Sequence, residues 1–348
     1  MSRVSWFSRA LLPWYRENHR SLPWRGTTDP YRIWLSEVIL QQTRVDQGLA
    51  YWLRFVERYP TVKHLAAAPE DAVLKLWQGL GYYSRARNLL TAAQQVVTEH
   101  GGKFPADYTQ LKGLKGVGEY TAAAIGSIAF DLSEPVVDGN VYRVLARVFG
   151  IDTPIDSTAG RKQFRELAAD LMPAQHPGDH NQAVMELGAT VCLPRNPACD
   201  RCPLAGKCIA RKTDRITLLP VKAGRTTVRE RHFNYLHIET KQGVFVQRRN
   251  GKDIWQGLYE LPLIESKKAL TRKPLEKALI EHATGAWQVA SRSEEVKHVL
   301  SHQVIRAVFW KVTPPAGFRG AADWERVPTK KLRDLAVPRL IDRWMETL

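Results

Sequence analysis

Along the first two hundred positions, apolar residues recur at the three-to-four-residue spacing of helices that bury one face. Residues 31–42 (YRIWLSEVILQQ) are apolar on nearly every face and predict a helix deep in a core, while 71–78 and 84–99 carry helical spacing of Leu, Ala and Val. Pro60, Pro69, the Gly101-Gly102 pair, Pro105 and Pro135 cut this region into many short helices. A compact, mainly helical region is therefore expected over residues 1–210. After Cys208 the pattern changes. Residues 211–231 are basic and lack periodicity, as a linker would. Residues 233–239 and 243–248 alternate like the two strands of a hairpin, and 304–312 (VIRAVFWKV) predict another strand. Residues 232–348 read as a separate α+β domain.

Length and charge sharpen this picture. A chain of 348 residues has room for two or three domains. Its formal charge of +16 is spread evenly, about +8 over residues 1–225 and about +8 over the shorter remainder. Sustained positive charge attracts polyanions, nucleic acid being the commonest. With no run of 18 apolar residues, neither a transmembrane helix nor a membrane partner is expected. The first twenty residues are interrupted by Arg9, Arg16 and Glu17 and hold no secretory apolar core, which predicts a reducing compartment. All four cysteines fall between 192 and 208, unlike the scatter of a disulfide scaffold.

Three local signals carry chemistry. In Leu111-Lys-Gly-Leu-Lys-Gly116-Val-Gly118 a helix ends near Lys112, a glycine turn follows and an alanine-rich helix begins. Glycines allow positive φ and close backbone approach. The N–H groups at a new helix start favour a phosphate. This is the logic of a helix-hairpin-helix clamp on a DNA backbone, with an ordinary corner between helices as the bland alternative; Lys112, Lys115 and the basic chain favour the clamp. The second signal is Cys192-x6-Cys199-x2-Cys202-x5-Cys208. Four thiolates within 17 residues can wrap one metal centre, and the spacing alone leaves tetrahedral zinc and an iron–sulfur cluster both open. The third is a pair of carboxylates. Glu37 lies in the apolar run Ile33-Trp-Leu-Ser-Glu-Val-Ile-Leu, where burial would raise its pKa into the range of a general acid, unless an arginine pairs with it structurally. Asp138, in Pro135-Val-Val-Asp-Gly-Asn-Val, reads locally as a helix N-cap. N-glycosidic cleavage passes through a cationic sugar, for which one proton donor and one carboxylate anion form the needed pair.

Glu37 within WLSEVILQQT, Gly79-Leu-Gly-Tyr-Tyr-Ser-Arg-Ala-Arg-Asn, the helix-hairpin-helix at about 107–130, Val137-Asp-Gly-Asn-Val and the cysteine loop at 192–208 occur in this order. Together they resemble the helix-hairpin-helix, iron–sulfur DNA glycosylases, specifically the MutY-type adenine glycosylases, over residues 7–210 and more weakly beyond. The resemblance implies one [4Fe-4S] cluster on Cys192, Cys199, Cys202 and Cys208. It implies that Glu37 protonates departing adenine, that Asp138 stabilises the cationic sugar, and that Tyr120 and Asn140 assist. Gln42 and Tyr82 match residues that enter the duplex and help hold the base out of the stack, a step any chemistry on a duplex base requires. Gly116 and Gly118 match the backbone clamp. Endonuclease III-type relatives place a catalytic lysine where this chain has Tyr120, and a phenol cannot form the Schiff base of strand cleavage. A monofunctional enzyme is implied.

Residues 232–348 resemble the Nudix-like domain of the same family through Trp255-Gln-Gly-Leu-Tyr-Glu-Leu-Pro and His298-Val-Leu-Ser-His302. The R-E-x2-E-E metal helix of a working Nudix hydrolase is missing from 263–285. In the family this domain reads 8-oxoguanine opposite adenine with Phe-Ser-His; here the tripeptide is Leu300-Ser301-His302. Ser301 and His302 can still hydrogen-bond a base edge, while the aromatic is gone. The implied partner is double-stranded DNA bearing adenine opposite 8-oxoguanine or guanine, bound by a monomer in the bacterial cytoplasm at the nucleoid. A bifunctional lyase is disfavoured by Tyr120, a damage sensor without catalysis by Glu37 and Asp138, and a Nudix hydrolase by the missing helix.

Overall fold

The computed structural model describes residues 3–224, 228–282 and 285–347. Among the described residues twelve α-helices come first: α1 (Arg3–Asn18), α2 (Pro30–Leu40), α3 (Val45–Arg58), α4 (Val62–Ala66), α5 (Glu70–Trp77), α6 (Ser84–His100), α7 (Tyr108–Gly113), α8 (Glu119–Phe130), α9 (Gly139–Phe149), α10 (Thr158–Asp170), α11 (Pro177–Thr190) and α12 (Ile209–Lys212). Nine strands follow: β1 (Arg229–His237), β2 (Glu239–Thr240), β3 (Gly243–Arg248), β4 (Tyr259–Glu260), β5 (Leu263–Ser266), β6 (Gln288–Arg292), β7 (Val296–Val299), β8 (Gln303–Thr313) and β9 (Trp324–Val327). Helix α13 (Arg272–His282) lies between β5 and β6, and α14 (Arg339–Met345) follows β9. Contacts divide it into two units, Met1–Ala67 with Asn88–Gly224, and Ala68–Arg87 with Arg225–Leu348.

The helical unit follows from its apolar pattern. Asp29 caps α2 by accepting from the Tyr31 N–H at 2.9 Å, and Pro30 starts the helix where its missing N–H costs nothing. Because the α2 sequence is apolar on nearly every face, Ile33, Trp34, Leu35, Val38 and Ile39 are all buried, and the helix packs on α3 and α8. Phe7 and Leu11 of α1 join Val141 and Leu145 of α9, Phe164 of α10 and Leu187 of α11 in one core cluster. Among the buried polar residues of this unit, Ser36, Gln182 and Glu186 line the cavity described below.

In the C-terminal unit one sheet has the order β5-β1-β8-β6, with β7 also on β8; β1 and β8 are parallel, the other pairs antiparallel. The second sheet is β2-β3-β4, with β9 on β3. This corrects the hairpin expected between 233–239 and 243–248. Only its tip forms, Glu239–Thr240 pairing with Gly243–Val244. From Phe233 to His237 all residues but Asn234 and His237 are apolar and all five are buried, so β1 has both faces covered and is drawn between β5 and β8. Leu275 and Leu279 fasten α13 onto Leu236, Val308 and Trp310. Residues 68–87 belong to this unit: Arg248 pairs with Glu70 (3.2 Å) and Asp71 (2.8 Å), and the Lys75 ammonium donates to the carbonyls of Arg333 (2.6 Å) and Leu335 (2.9 Å).

Candidate active site

A cavity of about 400 Å³ opens in the helical unit, within the range of small-molecule sites. Glu37, Gln42, Tyr120, Asp138 and Asn140 all line it, although they come from α2, α8, α9 and the turn after α2. Glu37 is enclosed by protein except toward the cavity. Burial is the main force on it and Asp138 adds to it, against the Tyr120 hydrogen bond and Arg25, so that its carboxyl is pushed up to about 7. Its direct partner is the Tyr120 hydroxyl, which donates to Oε2 at 2.6 Å. The buried glutamate paired with arginine, the bland alternative for Glu37, exists at a different position. Glu186 is fully buried and accepts from Arg20 (2.8 and 2.7 Å) and Arg25 (2.6 Å). Burial would raise its pKa, but the hydrogen bonds from Arg20 and Arg25 prevail and hold it at about 2.

Asp138 is the N-cap of α9, as local sequence suggests, and it faces the cavity as well. Its Oδ1 accepts from the Asn140 and Val141 N–H groups, both at 2.8 Å, and its Oδ2 from the Asn140 amide at 2.8 Å. Burial lifts its pKa above the ordinary range, and these donors work against that lift. A line of hydrogen bonds continues outward. Arg143 donates to Asn140 Oδ1 (2.8 Å), to the Gly188 carbonyl (2.6 Å) and, from Nε, to the Cys192 carbonyl (2.6 Å).

Cys192, Cys199, Cys202 and Cys208 surround a second, apolar cavity walled by Val144, Val148, Leu187 and Val191. Arg147, itself buried, donates to the Cys192 sulfur at 3.4 Å and to the Leu193 carbonyl at 2.7 Å. Burial pushes the Cys202 thiol up to about 11, so thiolates in this pocket call for positive charge beyond that of Arg147. Among the described residues no three Cys, His, Asp or Glu side chains converge on one ion-sized point. The four sulfurs line one cavity, and four thiolates are the donor set that an iron–sulfur cluster takes.

The remaining residues singled out by sequence lie elsewhere. Between α7 and α8, Gly116 adopts φ +76° and a Cβ there would meet Asn88 Cβ at 2.7 Å, so glycine is required. Gly118 does not use positive φ. It is the extended N-cap of α8, with no side-chain cap and open space around it, which leaves the helix start approachable. Lys112 pairs with Glu119 at 3.0 Å on the exposed surface. In the C-terminal unit the Leu300 N–H donates to the Gln303 carbonyl at 2.8 Å, closing a hairpin turn between β7 and β8. That turn presents Ser301 and His302 to solvent, and the hydroxyls of Ser301 and Tyr82, 219 positions apart, hydrogen-bond to each other.

Arg20, Arg25, Gln182, Met185 and Glu186 also line the first cavity and were missed by sequence reasoning. Glu186 carried a readable signal, since it interrupts an apolar helix (AVMELGA) much as Glu37 does. For the arginines no local pattern exists, because their partner lies more than 160 positions away.

Comparison with known proteins places these features. Residues 35–170 match the HhH-GPD superfamily base excision DNA repair protein family, residues 192–212 the iron–sulfur binding domain of endonuclease III, and residues 234–347 the NUDIX domain. The chain therefore carries an iron–sulfur binding domain. Among solved structures, a thermostable thymine-DNA glycosylase aligns with TM-score 0.56 and 29% identity over 61% of this chain and 97% of its own. An endonuclease III–DNA complex aligns with TM-score 0.53 and 21% identity, over 62% of this chain and 98% of its own, and supports the fold alone. The human adenine DNA glycosylase is 45% identical over 221 residues, 61% of this chain and 40% of that longer protein. The adenine DNA glycosylase of Buchnera aphidicola subsp. Schizaphis graminum is 34% identical over 262 residues, covering 75% of this chain and 76% of the relative. With identity sustained over three quarters of both proteins, the chain belongs to the adenine DNA glycosylase family.

Proposed function

We propose that the protein releases adenine mispaired with 8-oxoguanine or guanine in double-stranded DNA by hydrolysing its N-glycosidic bond, and leaves the abasic strand uncut. The observation that carries this reading is the pairing in one cavity of a carboxyl raised to about 7, Glu37, with a second carboxylate held by three N–H donors, Asp138. At neutral pH a large fraction of Glu37 keeps its proton and can give it to a ring nitrogen of the departing base. Tyr120 orients that carboxyl. Asp138 supplies negative charge to the sugar as the bond breaks, and Asn140 fixes its orientation. Hydrolysis without strand cleavage is supported by the cavity lining, whose described residues include two arginines and no lysine.

The adenine has to leave the stack to reach Glu37. Gln42 at the rim of the helical unit's cavity and Tyr82 in the C-terminal unit are each proposed to enter the duplex and help hold the base out of the stack, and Gly116 and Gly118 to hold a backbone phosphate at the start of α8. Ser301 and His302 are proposed to read the opposite base. One [4Fe-4S] cluster is proposed on the four cysteines; when bound it supplies the cross-link that orders the loop bearing Arg195, Arg201 and Lys207. The protein is proposed to act as a monomer. Among the described residues no helix is long and apolar enough to cross a membrane.

The test is single-turnover base release from a duplex with one adenine opposite 8-oxoguanine, with hot alkali omitted from half of the samples. Products seen only after alkali support the proposal. Strand breaks without alkali overturn the monofunctional reading, and binding without release overturns the catalytic one.

A further inference from the structure

The C-terminal unit holds its own cavity, about 420 Å³ in volume, between Tyr82 and two loops, 253–257 and 300–303. The first loop is held in an unusual shape. Trp255, a bulky aromatic, sits at φ +60°, a conformation that side chains of this kind rarely adopt. Such a residue persists only where its surroundings over-determine it. Here three guanidinium groups do so. Arg249 donates to the Ile254 carbonyl (3.0 Å) and to Asp253 (3.0 Å), and Arg87 to the backbone carbonyl and side chain of Gln256. Arg231 grips both oxygens of Asp253, at 3.0 and 2.7 Å.

Arg231 differs from the other two because it reaches both loops. Its side chain is only 6% exposed. It is bidentate to Glu265 on β5 (2.8 and 2.6 Å), which anchors it to the sheet. Its Nη1 also donates to Gln303 Oε1 at 3.0 Å, at the foot of the turn that presents Ser301. A planar guanidinium can satisfy two carboxylates and an amide at once; an ammonium cannot reproduce that fork.

We propose that Arg231 is a positioning residue for the recognition of the base opposite adenine: by bonding Asp253 and Gln303 together it fixes the gap between the Trp255 loop and the Ser301 turn. This rests on the function proposed above. Arg231 touches no DNA and takes no part in base release; it sets how well the gap distinguishes 8-oxoguanine from guanine.

The test compares wild type with Arg231→Lys and Gln303→Leu on duplexes carrying 2′-fluoro-adenosine, which resists excision, opposite either 8-oxoguanine or guanine. Both variants should weaken binding of the 8-oxoguanine duplex by about tenfold. Binding of the guanine duplex and the single-turnover rate on a saturating adenine–guanine substrate should change by less than about twofold, which a purely structural defect would not spare. Glu265→Gln, which alters only the sheet-side partner, should keep the 8-oxoguanine preference. Parallel loss on both duplexes, or a Gln303→Leu protein indistinguishable from wild type, overturns the proposal. If Arg231→Lys fails to fold, Gln303→Leu decides, because it leaves both ion pairs in place. The wild-type preference is measured first: its absence overturns the functional reading itself, separately from the role of Arg231.

Discussion

Replacing Tyr120 with phenylalanine removes one hydroxyl that donates to Glu37 Oε2 at 2.6 Å. That bond favours the carboxylate, whereas burial and Asp138 favour the protonated acid, and the balance stands at about 7. A hydrogen bond to an ionised acceptor is worth about 1.5–3 kcal/mol and one to the neutral acid about 0.5–1.5 kcal/mol. The difference, about 1 kcal/mol, is what Tyr120 contributes against protonation, and it corresponds to somewhat less than one pH unit at about 1.4 kcal/mol per unit. In the proposed function Glu37 acts as its acid form, so base release should fall as pH rises through its pKa. In Tyr120→Phe that falling limb should move upward by roughly one pH unit. The assay is single-turnover release at subsaturating enzyme between pH 5.5 and 9, which reports groups of the free protein. The plateau can drop for other reasons, so only the limb position counts. A limb that stays in place or moves to lower pH refutes Glu37 as the titrating acid, or the Tyr120 bond as its counterweight.

Four further outcomes are expected. Glu37→Gln should abolish base release and yet stabilise the protein at pH 8: a carboxyl raised in the fold favours folding below its unfolded value near 4.5 and opposes it as pH rises to 7 and above, by about 2 kcal/mol after allowing for its open side, as denaturant titration at pH 8 and pH 5 would show. His180, pushed down to about 4 by burial, acts in the other direction: the unfolded chain takes up a proton below about 6.5 that the fold refuses, so about 3 kcal/mol should be lost between pH 6.5 and 4, and His180→Leu should remove that part of the pH dependence. Arg143→Met strands the Cys192 and Gly188 carbonyls and frees Asn140, at about 1–3 kcal/mol per stranded group, so iron content and base release should fall together; full iron with normal release would sever the link drawn between them. Gln42→Gly relieves a non-glycine residue at φ +57°, so melting should shift to higher temperature by the equivalent of about 1 kcal/mol while base release slows.

Legibility in the sequence followed the range of the interactions. The place of Glu37 on a cavity wall could be anticipated because a carboxylate in an apolar helix is anomalous within eight residues, and the gathering of the cysteines around one cavity because their spacing is local. Asp138 was legible as a cap for the same reason, its partners being Asn140 and Val141. Arg25 and Glu186 were not read as a pair, because they meet only when α11 folds against the N-terminal segment. The strand pattern of 233–239 was right about extended structure and wrong about its neighbour. Period-two alternation tells which residues face which way, but the partner of a strand buried on both faces is set by distant segments such as β8.

Backbone strain ties the two halves of the problem together. Among the described residues seven that are not glycine take positive φ: Gln42, Tyr82, Asp131, His176, Asn196, Asp214 and Trp255. Four are Asp, Asn or His, side chains that tolerate the left-handed region, at caps and turns where it needs no special cause. The other three are Gln, Tyr and Trp, which do not tolerate it well. Gln42 lines the cavity of the helical unit, and Tyr82 and Trp255 line that of the C-terminal unit. Had strain been a by-product of packing, it should have been scattered through the cores, where most of the large side chains lie. These three line the walls of the two cavities, and in the C-terminal unit the loop that carries Trp255 is held by Arg87, Arg231 and Arg249. A residue so held is already in place before DNA arrives, and the free energy of shaping the site has been met by folding, leaving less to be paid on binding.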